Sequence, residues 1–322
     1  MSSISGRSRT SRRLVLQAGV AAGVGLLGAR GSLSFGMAAH PLPVIRKPIP
    51  STREMLPAVG LGTNNFDVGD AADIAARKEV LQGMPRLGGS VVDTAPLYGR
   101  SEDVIGGIVA DLGNRDKLFI ATKVISRDSS GADGRASIEE SFRRLRTDRI
   151  DLMQVHNLGG VEQMIPVLQK LKEARRIRYL GITTSSPGQH PQMMEFMRRY
   201  PLDFVQVDYS IDNRAVANTV LPLAQERRIG VLINSPLGGR RGAASVFSRV
   251  AGRPLPDWAA EIDAQSWAQV FLKYVVSHPA VTCALSGTTQ LKHLDDNLRG
   301  AHGRLPDAAM RERMEKYWDT NT

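Results

Sequence analysis

Eight short apolar segments, separated by longer amphipathic ones, follow one another between residues 58 and 285. They are rich in aliphatic and β-branched residues and are bounded by turn residues, as expected for strands that are buried on both faces. No Gly-x-Gly-x-x-Gly motif, which a dinucleotide-binding doubly wound sheet would carry, follows the first segment. The pattern therefore predicts an α/β fold, a (β/α)8 TIM barrel. The predicted strands are 58–62, 90–93, 118–122, 152–156, 179–183, 204–207, 230–233 and 281–285.

The segments between these strands have helical periodicity. Residues 137–140 (Ser-Ile-Glu-Glu) have the pattern of a capping box, which would begin a helix at this point. Segments 161–174 and 266–277 show apolar residues at helical spacing. Residues 44–56 precede the first strand and are predicted to form a hairpin that closes the barrel bottom. The long segment 237–258, after the seventh strand, is predicted to be either functional or disordered.

The first 38 residues differ from the rest in composition, because four arginines precede an apolar stretch at 14–27. This is the pattern of an export signal, and it is shorter than the ~20 residues of a membrane-spanning helix. Residues 11–17 (Ser-Arg-Arg-Leu-Val-Leu-Gln) resemble the twin-arginine consensus, whose export machinery carries folded proteins. We predict a signal at 1–38 that is cleaved after Ala38, a barrel domain at 39–322, and a periplasmic or exported location. A disordered basic arm and an uncleaved anchor are the alternatives. The four arginines that precede the apolar stretch are Arg7, Arg9, Arg12 and Arg13.

Charge and cysteine content exclude several classes of protein. The net charge is +10, but the first 38 residues hold five arginines and no acidic residue, so +5 remains for the rest. The basic clusters lack interleaved aromatic residues, which argues against a nucleic-acid partner. The single cysteine, Cys283, excludes an intrachain disulfide and a multi-cysteine zinc site. Only one of six histidines follows a predicted strand, so a metal-dependent barrel hydrolase is disfavoured and no metal site is predicted.

Four ionisable side chains stand at the carboxyl ends of consecutive predicted strands. Asp93 closes the second strand and Tyr98 follows five residues later, Lys123 follows the third, and His156 closes the fourth. Each has a structural explanation when taken alone, such as capping a turn or facing solvent. Because these strand ends form one mouth in a barrel, their combination predicts a catalytic site.

These residues lie in segments that resemble the aldo-keto reductase superfamily. The segments are Val-Val-Asp-Thr-Ala-Pro-Leu-Tyr-Gly at 91–99, Ile-Ala-Thr-Lys at 120–123, Asp-Leu-Met-Gln-Val-His at 151–156 and Val-Gly-Leu-Gly-Thr at 59–63. The resemblance covers nearly all of the chain after residue 38. It implies hydride transfer from a reduced nicotinamide to a small aldehyde or ketone. Tyr98 would be the general acid, strengthened by the ammonium of Lys123, which Asp93 would hold, while His156 would bind the substrate carbonyl. A non-catalytic nicotinamide-binding module of the same fold is the alternative.

The resemblance also implies a cofactor site, with NADP as the expected cofactor and NAD as the alternative. The expected binding residues share a position after a strand end or on the helix that follows the eighth strand. Two departures stand out, because Asn234 replaces the family's usual aromatic residue and no clear basic residue for a 2′-phosphate follows the eighth strand. Lys292, His293 or an arginine of the 240–241 pair are candidates for that role. The expected cofactor residues are Gly62, Thr63, Asp93, Thr183, Thr184, Gln206, Asn234, Ser235, Leu237, Gly238, Ser286, Gly287, Thr288, Thr289, His293, Asp296 and Asn297.

Overall fold

The eight predicted strands form a closed parallel barrel in the computed structural model, which describes residues 42–239 and 245–321. The predicted export signal lies outside the described residues. Each barrel strand pairs with the next along the chain, and the last pairs with the first, so the predicted (β/α)8 barrel is confirmed. A two-stranded hairpin, β1 (Arg46–Pro48) and β2 (Met55–Pro57), precedes it. The barrel strands are β3 (Val59–Gly62), β4 (Val91–Asp93), β5 (Phe119–Val124), β6 (Ile150–Val155), β7 (Ile177–Thr183), β8 (Phe204–Asp208), β9 (Gly230–Asn234) and β10 (Cys283–Gly287).

Helices connect the strands on the outside of the barrel. The segment after β9 contains a short helix, where the sequence predicted either a functional or a disordered loop. No helix among residues 42–239 and 245–321 is long and apolar enough to cross a membrane. The helices are α1 (Ala71–Arg86), α2 (Ser101–Leu112), α3 (Ala132–Arg144), α4 (Val161–Glu173), α5 (His190–Arg199), α6 (Val220–Glu226), α7 (Val246–Val250), α8 (Trp267–Ser277), α9 (Leu291–Arg299) and α10 (Ala308–Asn321).

The capping box predicted at residues 137–140 is wrong, because α3 begins at Ala132 and residue 137 lies inside it. The reason is an acidic residue in the first turn that the sequence analysis did not consider. Asp133 accepts hydrogen bonds from the backbone N–H groups of Arg127 (2.8 Å) and Gly134 (2.7 Å) and from the hydroxyl of Ser126 (2.6 Å). These bonds tie the preceding loop to the helix start and favour a negative charge where the helix dipole is positive.

The hairpin closes the base of the barrel, as predicted. Ile49, between its strands, and Leu56 on β2 are buried inside the barrel against Phe119, Tyr179 and Phe204, which start or lie early in their strands. The larger apolar cluster lies between the strands and the surrounding helices. Buried large side chains at the base leave the interior filled at that end, so a ligand can enter only from the other end.

Buried carboxylates bind strands and loops together at the base. Asp151 accepts from Arg178 Nη1 (2.9 Å) through one oxygen and from Arg115 Nη2 and the Ile120 N–H (both 2.8 Å) through the other. Asp203 accepts from Lys172 Nζ (2.5 Å) and the backbone N–H of Leu180 (3.0 Å). These hydrogen bonds compensate for the burial of both carboxylates.

Candidate active site

A buried ion pair lies at the carboxyl ends of β4 and β5. Lys123 Nζ is 2.7 Å from Asp93 Oδ2 and donates a second hydrogen bond to the carbonyl of Thr94 (2.8 Å). The side chains of Lys123 and Asp93 are only 2% and 4% exposed. Burial favours the neutral amine, but the negative charge of Asp93 and the hydroxyl of Tyr98 outweigh it and raise the pKa of Lys123 above its ordinary value. Lys123 is therefore a cation at neutral pH.

Tyr98 and His156 lie next to this pair. Tyr98 stands in the turn between β4 and α2, where its N–H donates to the carbonyl of Ala95 (3.0 Å). Lys123 Nζ is 5.0 Å from the centre of the Tyr98 ring. The ring of His156 is edge-on to Tyr98, with centroids 6.1 Å apart and an interplanar angle of 89°. The structure thus brings the four residues predicted to be catalytic into one cluster.

His156 is a neutral imidazole at physiological pH. Burial and the nearby Lys123 ammonium lower the pKa of His156 to about 3. Its Nδ1 is buried and has no hydrogen-bond partner among the described residues. The residue directly follows β6, and the next two residues, Asn157 and Leu158, have φ values of 51° and 56°. This left-handed turn ends the strand and directs the chain into the following loop.

A layer of buried amides continues the cluster across the barrel. Gln206 Nε2 donates to Asp93 Oδ2 (3.4 Å), and Gln154 Nε2 donates to Gln206 Oε1 (2.9 Å). Gln206 is among the residues predicted to bind the cofactor, whereas Gln154 is not. The signal for Gln154 was a glutamine inside a fully buried strand, two positions before His156.

A cavity of about 660 Å³ opens at this end of the barrel. This volume lies within the range of ligand pockets. Most of the predicted site residues line it, including all four of the catalytic cluster. The predicted residues that line the cavity are Gly62, Thr63, Asp93, Tyr98, Lys123, His156, Thr183, Gln206, Asn234, Ser235, Leu237, Gly238, Ser286 and Gly287.

Six residues predicted to bind the cofactor lie outside the cavity lining: Thr184, Thr288, Thr289, His293, Asp296 and Asn297. The hydroxyl of Thr184 donates to Gln189 Oε1 (2.5 Å), so it is engaged within its own loop. Asp296 Oδ1 accepts from the hydroxyl of Ser266 (2.8 Å), the residue before α8. The other four lie in the loop between β10 and α9 or on α9 itself. Arg240 and Arg241, two candidates for a 2′-phosphate contact, lie outside the described residues.

Several lining residues were not predicted. The most notable is Phe247 on α7, which is 38% exposed and whose ring lies 6.0 Å from Phe271. An aromatic residue on a short helix within a long loop was its only signal. No group of three or more histidine, cysteine or carboxylate side chains that could bind a metal occurs in the part of the chain that the structure describes. The lining residues that were not predicted are Asn64, Asn157, Ser185, Pro236, Gly239, Ser245, Phe247 and Leu285.

The loop after β9 has the backbone form of an anion-binding turn. Ser235, Gly238 and Gly239 have φ values of 49°, 66° and 73°. Asn234 Oδ1 is buried and has no hydrogen-bond partner among residues 42–239 and 245–321. Successive backbone N–H groups in left-handed turns form concave sites for phosphate groups. The N–H of Gly238 already donates to the carbonyl of Ser235 (3.1 Å), so this side of the cavity offers a polar ligand the unused acceptor of Asn234.

Comparison with known proteins gives consistent matches. The model of the Aldo/keto reductase family matches residues 58–317. The chain is 31% identical to the aldo-keto reductase YhdN of Bacillus subtilis over 196 residues, which are 56% of this chain and 58% of that protein, less than two thirds of its length. It is 28% identical to the methylglyoxal reductase YeaE of Escherichia coli over 246 residues, 75% of this chain and 84% of that protein.

The fold is also similar to solved structures. An aldo-keto reductase from Klebsiella pneumoniae in complex with NADPH superposes with a TM-score of 0.71 at 24% sequence identity. The superposition covers 85% of this chain and 96% of the Klebsiella chain. The barrel and its surrounding helices are thus shared over nearly the whole of that structure.

Proposed function

The chain belongs to the aldo/keto reductase family, and from this membership we propose that it reduces the carbonyl of an aldehyde or ketone to an alcohol with NADPH, or alternatively NADH. Membership in this family makes it an NAD(P)H-dependent oxidoreductase. One observation carries the finer proposal: Tyr98 lies beside the buried Lys123–Asp93 pair, with His156 edge-on to it, at the wall of the cavity.

The residues around the cavity fit a nicotinamide dinucleotide. The unused acceptor of Asn234 and the left-handed turn at Ser235 and Gly238 suit a polar ligand with phosphate groups. Thr183 and Gln206, on the neighbouring strands β7 and β8, would hold the carboxamide. The similar Klebsiella structure is a complex with NADPH, which supports NADP as the cofactor. When bound, the reduced nicotinamide supplies a hydride to the carbonyl carbon.

Tyr98 is the proposed general acid. Its hydroxyl donates a proton to the carbonyl oxygen as negative charge develops there. The Lys123 cation lies beside the tyrosine ring and stabilises the phenolate that remains. Asp93 and the carbonyl of Thr94 hold the ammonium in place. Because the pair is almost fully buried, water screens the charge of Lys123 little, which strengthens its effect on the tyrosine.

His156 is the proposed group that orients the substrate. With a pKa of about 3, it is uncharged and carries a single ring N–H at neutral pH. It can therefore donate a hydrogen bond to the carbonyl oxygen, but it does not compete with Tyr98 as a proton donor. Both residues line the same cavity, with their rings in contact.

Steady-state kinetics of Tyr98→Phe test this proposal. Removal of the hydroxyl should lower kcat by roughly 10²–10⁴-fold, while the dissociation constant for NADPH changes little. Tyr200→Phe is the matched control, since Tyr200 lies in the loop between α5 and β8 and packs against Phe196. The substrates should include methylglyoxal, because of the similarity to a methylglyoxal reductase.

Two outcomes would contradict the proposal. A Tyr98→Phe variant with an unchanged kcat would exclude Tyr98 as the general acid. A wild-type protein that binds NADPH but reduces none of a broad set of reactive aldehydes and ketones would instead be the non-catalytic nicotinamide-binding module.

We further propose that residues 1–38 direct export by the twin-arginine machinery to the periplasm. The paired Arg12 and Arg13 ahead of an apolar stretch support this. Fusion of residues 1–38 to a reporter that folds before export should place the reporter outside the cytoplasm. Replacement of both arginines by lysine should retain it inside, and unchanged export of that variant would contradict the proposal.

A further inference from the structure

Gln154 is a buried amide for which the proposed chemistry has no direct use. It is 0% exposed, and it lies on β6 two positions after Leu152, which faces the barrel interior. Its Nε2 donates to Gln206 Oε1 (2.9 Å), although β7 lies between the two strands. In the β6–β7 register Gln154 is the partner of Gly181. The hydrogen bond between the two amides therefore crosses β7 beside a residue without a side chain.

This hydrogen bond determines which way the Gln206 amide points. A side-chain amide has one acceptor end and one donor end. With Oε1 of Gln206 bound to Gln154, its NH2 group is directed at Asp93 Oδ2 (3.4 Å), the oxygen that also accepts from Lys123 (2.7 Å). In the flipped orientation, the carbonyl oxygen of Gln206 would face the carboxylate of Asp93 and repel it.

Gln154 is also an unfavourable residue for the stability of the fold at this position. Its own Oε1 is buried and has no hydrogen-bond partner among the residues that the structure describes. An unpartnered buried acceptor is unfavourable, and an apolar side chain of similar length would avoid it. A polar residue at this level is thus explained by the hydrogen bond that it donates.

We propose that Gln154 is a positioning residue, which fixes Gln206 with its N–H groups toward Asp93 and the cavity. Gln206 then presents a donor to the carboxamide oxygen of the nicotinamide and at the same time supports the acceptor of Lys123. Gln154 acts only through Gln206 and does not line the cavity. This inference rests on the proposed function, because it names the residue that prepares the cofactor side of the same site.

Calorimetric titration with NADP⁺ tests the inference without any turnover. Gln154→Met keeps the length of the side chain and removes the donor, so the dissociation constant for NADP⁺ should rise roughly 3–10-fold, the effect of one lost hydrogen bond. The midpoint of urea unfolding should change little, because the unpartnered Oε1 of Gln154 is removed while Gln206 Oε1 loses its donor. Gln154→Glu should restore affinity only at acidic pH, where a protonated carboxyl can donate to Gln206.

A double-mutant cycle separates positioning from a structural role. In a Gln206→Met background, the further change Gln154→Met should alter the dissociation constant less than twofold, because its only route of action is gone. Asn114→Leu is the control for loss of a buried amide. Asn114 donates to the carbonyl of Leu81 and does not line the cavity, so this variant should keep its affinity for NADP⁺.

The outcomes distinguish failure of this inference from failure of the proposed function. If the wild-type protein binds no NADP⁺, the proposed function fails and the inference with it. If the wild type binds but Gln154→Met has an unchanged dissociation constant, only the positioning role is overturned. The same conclusion follows if Gln154→Met unfolds readily, or if it weakens binding equally in both backgrounds.

Discussion

The two ends of the barrel are built from the same strands but differ in the side chains that face the interior, which are apolar at the base and polar at the mouth. Side chains that point into the barrel alternate along each strand, so an interior residue near the base is followed two positions later by one nearer the mouth. The base residues are apolar, whereas their counterparts toward the mouth are charged or carry amides. The pairs, base residue first, are Val91 and Asp93, Ala121 and Lys123, Leu152 and Gln154, Phe204 and Gln206, and Leu232 and Asn234.

Hydrogen bonding shows the same contrast. At the base, both oxygens of the buried carboxylate of Asp151 accept hydrogen bonds. At the mouth, Asp93 Oδ1, His156 Nδ1 and Asn234 Oδ1 are buried without a partner among the described residues. Unpartnered buried atoms lower stability, and they are the groups that a ligand can use. The carboxylate of Asp151 is thus fully engaged in holding the fold together, while the mouth leaves buried acceptors that a ligand could use.

The largest expected effect comes from the buried ion pair at the mouth. Lys123→Met leaves Asp93 buried without its counter-ion and should lower the free energy of unfolding by about 3–5 kcal/mol. The matched change at the base, Lys172→Met, removes a lysine that is 39% exposed and should cost about 1 kcal/mol. Urea unfolding of both variants measures the difference, and equal losses would contradict the contrast between the two ends.

The hairpin at the base should matter for stability alone. Ile49→Ala creates a cavity among fully buried side chains and should cost about 3 kcal/mol, with Ile49→Val costing about 1 kcal/mol. Both variants should keep the wild-type dissociation constant for NADP⁺ and the wild-type kcat per folded molecule. A fall in kcat without loss of stability would show that the base is coupled to the mouth.

One histidine at each end gives a pH test. Burial lowers the pKa of His156 to about 3 and, together with Arg311 and Lys47, lowers that of His278 to about 4, both from 6.5. As the pH falls below 6.5, the unfolded chain takes up these protons before the folded one does. Each histidine therefore lowers stability by about 1.4 kcal/mol per pH unit, down to its folded pKa.

Urea unfolding between pH 6 and pH 4.5 checks this expectation. His156→Gln and His278→Gln should each reduce the loss of stability across that interval, by similar amounts. Below pH 4, only His156→Gln should still differ from the wild type in how steeply the free energy of unfolding falls with pH. If neither variant changes the dependence of the free energy of unfolding on pH, the two imidazoles take up protons over the same pH range in the folded and the unfolded chain, and this expectation is wrong.

The smallest effect concerns backbone strain at the two ends. Arg175 at the base and Ser235 at the mouth have φ values of 58° and 49°, a conformation that favours glycine. Arg175→Gly should raise the free energy of unfolding by about 0.5–1 kcal/mol without affecting NADP⁺ binding. Ser235→Gly should raise the free energy of unfolding by a similar amount and should weaken the binding of NADP⁺. Arg143→Gly, on the exposed side of α3, is the control and should destabilise by about 1 kcal/mol.

Local sequence patterns predicted the elements of the fold better than their boundaries. The eight barrel strands and the closing hairpin follow from the spacing of apolar segments, because a strand buried on both faces must be apolar throughout. The start of α3 did not follow from the capping pattern at 137–140, because the bonds from Asp133 to Ser126 and Arg127 decide it. Those bonds depend on how the preceding loop folds back onto the helix.

The sequence by itself determined the barrel and the identity of the four clustered residues, since each of Asp93, Tyr98, Lys123 and His156 stands at or soon after a strand end, and parallel strand ends must meet. Only the tertiary structure decided how these groups are charged and which neighbours support them. The neutral state of His156 arises from burial beside Lys123, and the contact of Gln154 with Gln206 arises from the closure of the barrel, which brings β6 and β8 together across β7. Both depend on distances between residues far apart in the chain, which a linear pattern of residue types does not encode.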